Sequence, residues 1–241
     1  MSARCLVLGG TGYVGSAICR ELREEDCQVA WTTDPGRLCD TSEGIICDLR
    51  QMSSVRDAVE QAAAQLGGLD AIVVAAGLSG DAFYFQQISS ADHDRLGPVT
   101  QEQFDELMEA NVRGTFAACQ AAAPYLKQSA SGNIVILAAI DGLKPVPAPV
   151  HFAASQSALR GMVESLAKEL GHYQICVNLL ALGILQGGWA DQTGDALRDA
   201  YLTHCCLKRF GTAEEVSQMV AWLVVENTYL SGQTVVLDGG L

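Results

Sequence analysis

The sequence predicts an α/β fold with a doubly wound parallel sheet of seven strands and helices on both faces. Strand-like and helix-like stretches alternate along the whole chain, which is typical of strands joined by right-handed crossovers. Most strand-like runs are continuously apolar, as in strands buried on both faces of a parallel sheet. A glycine-rich turn, Gly9 to Gly15, joins the first such strand to the first helix.

The strands are predicted from short apolar runs rich in β-branched residues and bounded by glycine, proline or polar residues. In chain order the predicted strands are Cys5–Gly9, Val29–Thr33, Gly44–Cys47, Ala71–Ala75, Asn133–Ala138, Cys176–Leu180 and Thr234–Leu237.

Five helices are predicted between these strands. Val14–Leu22 opens after the glycines, and Val55–Leu66 repeats apolar residues at helical spacing. Gln101–Tyr125 and Phe152–Leu170 are long, and Ala213–Val225 leads into the last strand. No linker or repeat interrupts the order, so residues 1–241 are expected to form a single domain.

Two segments depart from the alternation. Residues 33–47 are too short and too rich in glycine and proline to form a good crossover helix. Residues 78–99 form a long loop-like insertion that carries the aromatic residues Phe83, Tyr84 and Phe85. Long loops in compact domains are often functional or mobile.

Composition narrows the classes of partner. The chain has 49% hydrophobic residues, enough for a core, and a net charge of −13 that disfavours nucleic acids and anionic membranes. Nine cysteines lie singly in apolar runs and are expected to be buried thiols in a reducing cytoplasm. Cys205 and Cys206 lack metal-ligand spacing, so no metal site is expected. The first residues lead directly into a strand and predict no signal peptide.

The glycine turn predicts a dinucleotide site in a Rossmann-like domain. Gly9, Gly12 and Gly15 let the chain turn, approach a pyrophosphate and pack the helix on the strand. The N–H groups at the start of that helix would face the phosphates. Asp34 ends the second strand, where an acidic residue commonly holds a ribose hydroxyl; the alternative is a turn aspartate before Pro35.

Further motifs resemble those of the short-chain dehydrogenase/reductase family, in order along the whole chain. The matching residues are Asp48 and Leu49 in CDL, Ala76 and Gly77 in VAAG, Asn111 in NVRGTF, Asn178 and Gly183 in VNLLALG, and the LKRFGTAEEV and YLSGQTVVLDGG segments. The most similar branch is that of the β-ketoacyl carrier-protein reductases, which are usually tetramers. The resemblance implies cofactor contacts at Asp48, Leu49, Ala76, Gly77 and Gly183 and a structural and catalytic role for Asn111.

The family's catalytic serine, tyrosine and lysine are all replaced. The resemblance aligns these positions with Ala139, Phe152 and Gln156. Alanine cannot hold a substrate oxygen, phenylalanine cannot donate a proton, and glutamine lacks the charge that activates the tyrosine. The amide of Gln156 retains the ability to bond a ribose hydroxyl. We therefore expect the usual ketoreductase mechanism to be absent.

Three functional interpretations remain open, and the last of them is an ordinary reductase whose catalytic residues align in a different register. The first is a non-catalytic or partner subunit that keeps a weakened nicotinamide dinucleotide site. The second is an enzyme of altered chemistry that uses Asp141, His151 or Tyr84 on a 3-oxoacyl or similar carbonyl substrate. The alternatives for Asp141 and His151 are a turn residue and a helix-start residue.

Cofactor preference follows from Asp34 and from Gly12, which stands where many NADP-dependent relatives carry arginine. Both features favour NAD(H) over NADP(H), because a carboxylate repels a 2′-phosphate. Tyr13 stands where the tetramer-forming branch usually has glycine.

Apolar stripes on the two long helices predict a dimer or tetramer, formed by this chain alone or with an active homologue. The stripes are Phe104, Leu107, Met108, Val112 and Phe116 on one helix, and Leu159, Met162, Val163, Leu166 and Leu170 on the other. The alternative is that both stripes face only the sheet.

Overall fold

A computed structural model describes residues 2–36, 44–77, 99–146, 148–187 and 195–241. Its seven strands pair in parallel in the order β3-β2-β1-β4-β5-β6-β7, which confirms the predicted sheet. The strands are β1 (Arg4–Leu8), β2 (Gln28–Thr33), β3 (Ile45–Ile46), β4 (Ala71–Val74), β5 (Gly132–Ala139), β6 (Ile175–Leu182) and β7 (Thr234–Leu237). The chain order reverses between β1 and β4.

Helices cover both faces of the sheet, as predicted. They are α1 (Tyr13–Glu24), α2 (Met52–Leu66), α3 (Gln101–Met108), α4 (Thr115–Leu126), α5 (Val150–Leu170), α6 (Asp195–His204) and α7 (Ala213–Val225). Helices α1 and α7 pack on one face, and α2, α4 and α5 pack on the other. No predicted helix corresponds to α6.

The continuous apolar runs are explained by two cores. On β1, Leu6 and Leu8 enter the core beneath α2, α4 and α5, whereas Cys5 and Val7 enter the core beneath α1 and α7. Successive side chains of a strand point to opposite faces, so burial on both faces requires every residue of the run to be apolar.

The predicted helix Gln101–Tyr125 is not continuous. It is divided by a π-helical segment, Glu109–Gly114, which lies between α3 and α4. Within it, Asn111 is 3% exposed and donates a hydrogen bond to a residue of α5. At its end Gly114 approaches the chain after β3, where a Cβ would lie 2.5 Å from the carbonyl oxygen of Leu49. Such wide turns commonly lie at functional sites.

The apolar stripe on α5 belongs largely to the core. Leu159, Val163 and Leu170 are buried, and Met162 and Leu166 pack against them. That stripe therefore faces the sheet, as the alternative interpretation held. Within the described ranges, no helix has the length and apolar character needed to cross a membrane.

Candidate functional site

The turn after β1 has the geometry that its glycines predict. Gly9 has a φ of +83°, and its N–H donates to Thr32 Oγ1 at 2.9 Å. A Cβ on Gly9 would lie 2.7 Å from the Cβ of Ala76, and one on Gly15 would lie 2.8 Å from the Gly9 carbonyl carbon. The N–H of Gly12 donates to the Gly9 carbonyl at 3.0 Å. Close packing of α1 against the strand ends thus requires glycine at positions 9 and 15.

Helix α1 begins at the carboxyl edge of the sheet without a side-chain cap. Its N-cap residue is Gly12, which has no side chain to satisfy the N–H groups of the first turn. These donors and the positive end of the helix dipole are suited to bind a phosphate. By contrast, α3 and α7 both begin with a capping box, formed by Thr100 with Gln103 and by Thr212 with Glu215.

Asp34 is exposed just after β2 and forms a turn. Its Oδ1 accepts a hydrogen bond from the Gly36 N–H at 2.8 Å. Oδ1 of Asp34 therefore has the hydrogen bond that is expected of a turn aspartate. Beside it, the hydroxyls of Thr11 and Thr33 lie 3.1 Å apart and join the glycine turn to the end of β2.

Asp48, the residue expected to contact adenine, is nearly buried and fully engaged within the protein. Its Oδ1 accepts from the backbone N–H and Nε of Arg50, and its Oδ2 accepts from Arg50 Nη2 and Gln51 Nε2, at 2.9–3.1 Å. Arg50 lowers the pKa of Asp48 despite its burial, and also donates to Glu106 at 2.9 Å. A carboxylate offers about four acceptor sites. All four are occupied here.

A chain of hydrogen bonds joins the aligned catalytic positions. Asn111 Nδ2 donates to Ser155 Oγ at 3.1 Å, and Gln156 Nε2 donates to the same oxygen at 3.3 Å. Gln156 Oε1 accepts from the N–H of Ala139 at 2.9 Å. Ser155 Oγ in turn donates to the carbonyl of Phe152 at 2.8 Å. The network connects the end of β5, the π segment and α5.

The oxygen and the nitrogen of the Gln156 amide are thus both hydrogen-bonded within the protein, and Gln156 is only 7% exposed. The expected contact with a ribose hydroxyl would have to compete with these bonds. Phe152 is equally buried, and Ser155 is fully buried. Ser155 is not among the predicted site residues; its position three residues after Phe152, on the inner face of α5, was the available signal.

Two of the candidate replacement proton donors, Asp141 and His151, lie within the described residues and close in sequence to Ala139 and Phe152. Asp141 is half-buried in a 3₁₀ turn, Ile140–Gly142, directly after β5, and burial raises the pKa of its carboxyl. His151 is 4% exposed at the start of α5, and burial lowers the pKa of its imidazole. The turn packs on α5 because Ser157 Oγ donates to the Gly142 carbonyl at 2.8 Å. Tyr84 and the insertion around it lie outside the described residues.

Three of the other predicted cofactor residues are packed against protein. A Cβ on Gly77 would lie 3.0 Å from Asn111 Oδ1, so this glycine makes room for the buried amide. Gly183 directly follows β6 and its N–H donates to the Leu237 carbonyl at 2.9 Å, and a Cβ there would lie 2.9 Å from the Cα of Asp238. Leu49 packs against the core.

The cysteines behave as buried thiols. Six of the eight described cysteines are buried and all eight are free. Burial raises the pKa of Cys47 and Cys119 to about 12, which leaves both thiols protonated and unreactive. Among the residues that the structure describes, no three His, Cys, Asp or Glu side chains gather in a group suited to a metal ion.

The strand order, the glycine turn after β1 and the uncapped start of α1 are together typical of the Rossmann-type class of dinucleotide-binding folds. A family model described as "Enoyl-(Acyl carrier protein) reductase" matches residues 13–241. The chain therefore belongs to the short-chain dehydrogenase/reductase family, whose members bind a nicotinamide dinucleotide.

Relatives and solved structures agree with this assignment. The chain is 28% identical to the 3-oxoacyl-[acyl-carrier-protein] reductase MabA of Mycobacterium avium, over all of this chain and 90% of that protein. It is 31% identical to Carbonyl reductase family member 4 of Xenopus laevis, over 100% and 98% of the two chains. A short chain dehydrogenase from Burkholderia cenocepacia J2315, solved in complex with NADP, is 28% identical, with a TM-score of 0.85 and coverage of 99% and 97%.

Proposed function

We propose that this protein is a catalytically degenerate short-chain dehydrogenase/reductase that acts as a binding or partner subunit. One observation carries the proposal. The amide of Gln156 bonds to the backbone N–H of Ala139 beside the buried ring of Phe152. The three positions aligned with serine, tyrosine and lysine thus offer no hydroxyl and no cation, and their remaining polar groups are bonded to one another.

The chemical consequence is large. Reduction of a carbonyl needs a proton donor for the developing alkoxide, and a positioned general acid contributes about 10²–10⁴-fold. A donor that holds the oxygen contributes roughly 10²–10³-fold more. Ala139 and Phe152 supply neither, so the 3-oxoacyl reduction named for the relatives is expected to be absent here.

A nicotinamide dinucleotide fits one part of the cleft and not the others. The uncapped start of α1 at Gly12 suits the pyrophosphate. At the adenine end the Asp48 carboxylate is saturated, and at the nicotinamide-ribose end the Gln156 amide is engaged. When bound, the dinucleotide would supply hydride; the chain's residues would only hold it. We propose weak binding that favours NAD(H), on the grounds of Asp34 and Gly12, to be measured by calorimetry with NADH and NADPH.

Partner binding is proposed through α3, α4 and α5, in a cytoplasmic setting. Phe104 and Phe116 are each 42% exposed. The small residues Ala154, Ser157 and Gly161 are exposed along α5, where they permit another helix to approach closely. A dimer or tetramer, alone or with an active homologue, is expected in light scattering at micromolar concentration. A strict monomer that also fails to bind an active homologue would contradict this part.

The catalytic part is tested by NADH and NADPH oxidation with an acetoacetyl thioester. We expect no turnover by the wild type. The combined variant Ala139→Ser, Phe152→Tyr and Gln156→Lys should gain at least about 10²-fold over that background. The matched double variant that keeps Gln156 should stay inactive, because residues that act as one unit are not additive. A folded triple variant without activity would contradict the claim that these groups are the whole defect.

The second candidate function is an enzyme of altered chemistry. The observation that favours it is the place of Asp141 directly after β5, where burial raises the pKa of its carboxyl, the direction that a general acid requires. His151 and Tyr84 are the other candidates for this role. Turnover of a 3-oxoacyl or similar carbonyl substrate by the wild type, abolished in Asp141→Asn, would establish this function and remove the first.

A further inference from the structure

We propose that the side chain of Tyr13 is a latch across the cleft, and that a dinucleotide binds only after this latch opens. Tyr13 is the first residue of α1 and is 46% exposed. Its hydroxyl donates a hydrogen bond to the backbone carbonyl of Gln186, in the segment that follows β6. Its ring lies against Gly187, where a Cβ would come within 2.8 Å of the ring carbon Cζ.

The segment that receives the Tyr13 hydroxyl is itself held in place. The N–H of Gln186 donates to the Gly211 carbonyl at 2.8 Å, and the Gly211 N–H donates to the Ile184 carbonyl at 3.1 Å. Gly187 has a φ of +84°, a conformation that favours glycine. The chain therefore presents the Gln186 carbonyl to Tyr13 from a braced position, with room for the ring beside it.

The contact of Tyr13 with Gln186 and Gly187 crosses the part of the cleft where a dinucleotide would lie. In the sheet, β4 and β5 separate β1 from β6. Three strand spacings amount to roughly 14 Å. Ligands of doubly wound sheets lie outside the carboxyl ends of the strands where the order reverses, here between β1 and β4. Contact between the turn after β1 and the segment after β6 consequently closes over the ends of the intervening strands.

A dinucleotide whose pyrophosphate lies at the start of α1 and which extends across the carboxyl ends of β4 and β5 has to cross the same line. Binding must break the Tyr13 hydroxyl bond and lift the ring from Gly187, and both costs reduce the affinity. This inference rests on the proposed function, because it takes the cleft to be a dinucleotide site. It concerns binding alone and is independent of the groups at Ala139, Phe152 and Gln156.

Calorimetry with NADH as the probe tests the latch in three proteins. Tyr13→Ala removes the ring and hydroxyl but keeps the Cβ and the helix propensity. It should bind NADH about tenfold more tightly than the wild type, which corresponds to about 1.4 kcal/mol. Tyr13→Phe keeps the ring and loses the bond to Gln186, so its gain should be smaller. Adenosine, which lacks the pyrophosphate, should bind all three proteins alike.

Tyr229→Ala is the matched control, since Tyr229 is 98% exposed and precedes β7 at the opposite edge of the sheet. It should bind NADH as the wild type does. Unchanged affinity in a folded Tyr13→Ala protein, or no detectable binding to any variant, would overturn the proposal. Weaker binding would overturn it too, because Tyr13 would then be a ligand contact. Reductase turnover by the wild type would refute the proposed function and leave the latch standing.

Discussion

The two ends of the cleft differ in how well they match the motifs that the sequence resembles. At the turn after β1, Gly9, Gly12 and Gly15 keep the backbone geometry that a phosphate requires. At the end of β5, the Gln156 amide is bonded to the Ala139 N–H where a reductase would need a hydroxyl and an ammonium group. Glycine at the first end is required by the packing of α1, whatever the cleft binds. At the second end, the Gln156 amide is held by hydrogen bonds within the protein.

A glycine motif can thus be required by packing alone, so its presence does not by itself establish dinucleotide binding. Gly15 packs α1 against the Gly9 carbonyl whether or not a ligand binds. The Gln156 amide also has structural contacts, because it bonds to the N–H of Ala139 and to the hydroxyl of Ser155. Structural necessity and functional necessity can be separated by mutating each end.

The largest effect is expected at the glycine turn. Gly15→Ala would bring a Cβ to 2.8 Å from the Gly9 carbonyl carbon, and backbone cannot move aside cheaply. We expect a loss of about 2–3 kcal/mol in the free energy of unfolding, measured by urea denaturation. Gly171→Ala, directly after α5, is the matched control, because a Cβ there meets nothing within 4 Å and its φ of −59° suits alanine. It should stabilise the protein by about 0.5–1 kcal/mol. Equal effects would show that packing does not explain the motif.

A smaller effect is expected at the other end. Gln156→Leu keeps the approximate volume but leaves the N–H of Ala139 and the hydroxyl of Ser155 without the amide. Loss of a partner for a buried N–H should cost about 1–3 kcal/mol of unfolding free energy. In the control Gln128→Leu, an exposed side chain loses one bond to the Pro124 carbonyl, and the change should stay within about 0.5 kcal/mol. A neutral Gln156→Leu would mean that the network is not structural.

The smallest effect is expected where β1 and β4 begin, at the amino ends of the strands and away from the cleft. Arg4 and Ser129 donate to the Asp70 carboxylate at 2.7–2.9 Å, and chiefly the Arg4 hydrogen bonds lower its pKa from 3.8 to about 2. A lowered folded-state pKa stabilises the protein above pH 4, and this contribution disappears as the pH falls through 2. With solvent screening, about 1–2 kcal/mol should be lost between pH 5 and pH 2.

Asp70→Asn should remove that part of the pH dependence and flatten the stability curve in this range. The comparison is made by urea denaturation at several pH values. Asp57→Asn, on α2, serves as the control and should leave the slope unchanged. A slope that survives in Asp70→Asn would assign the acid sensitivity to other carboxylates.

Most of the fold could be predicted from the sequence because its signals are local. Continuous apolar runs such as that of β1 report burial on both faces, and glycine spacing reports the turn before α1. The predicted helix Gln101–Tyr125 was wrong in its middle. The π segment around Asn111 depends on the contact of that side chain with Ser155 on α5, and helical periodicity carries no information about such a partner.

The sequence alone determined the seven-stranded sheet and the parallel direction of its strands, since these follow from local pattern. The absence of hydroxyl and cationic groups at Ala139, Phe152 and Gln156 follows directly from residue type. Only the tertiary structure decided what the remaining polar groups do. The saturation of Asp48 by Arg50, the engagement of Gln156 and the bond from Tyr13 to Gln186 join residues 2 to 173 positions apart. Hydrogen bonds are short-range and directional, so which donor meets which acceptor is settled only when the folded chain brings them within 3 Å or so of each other.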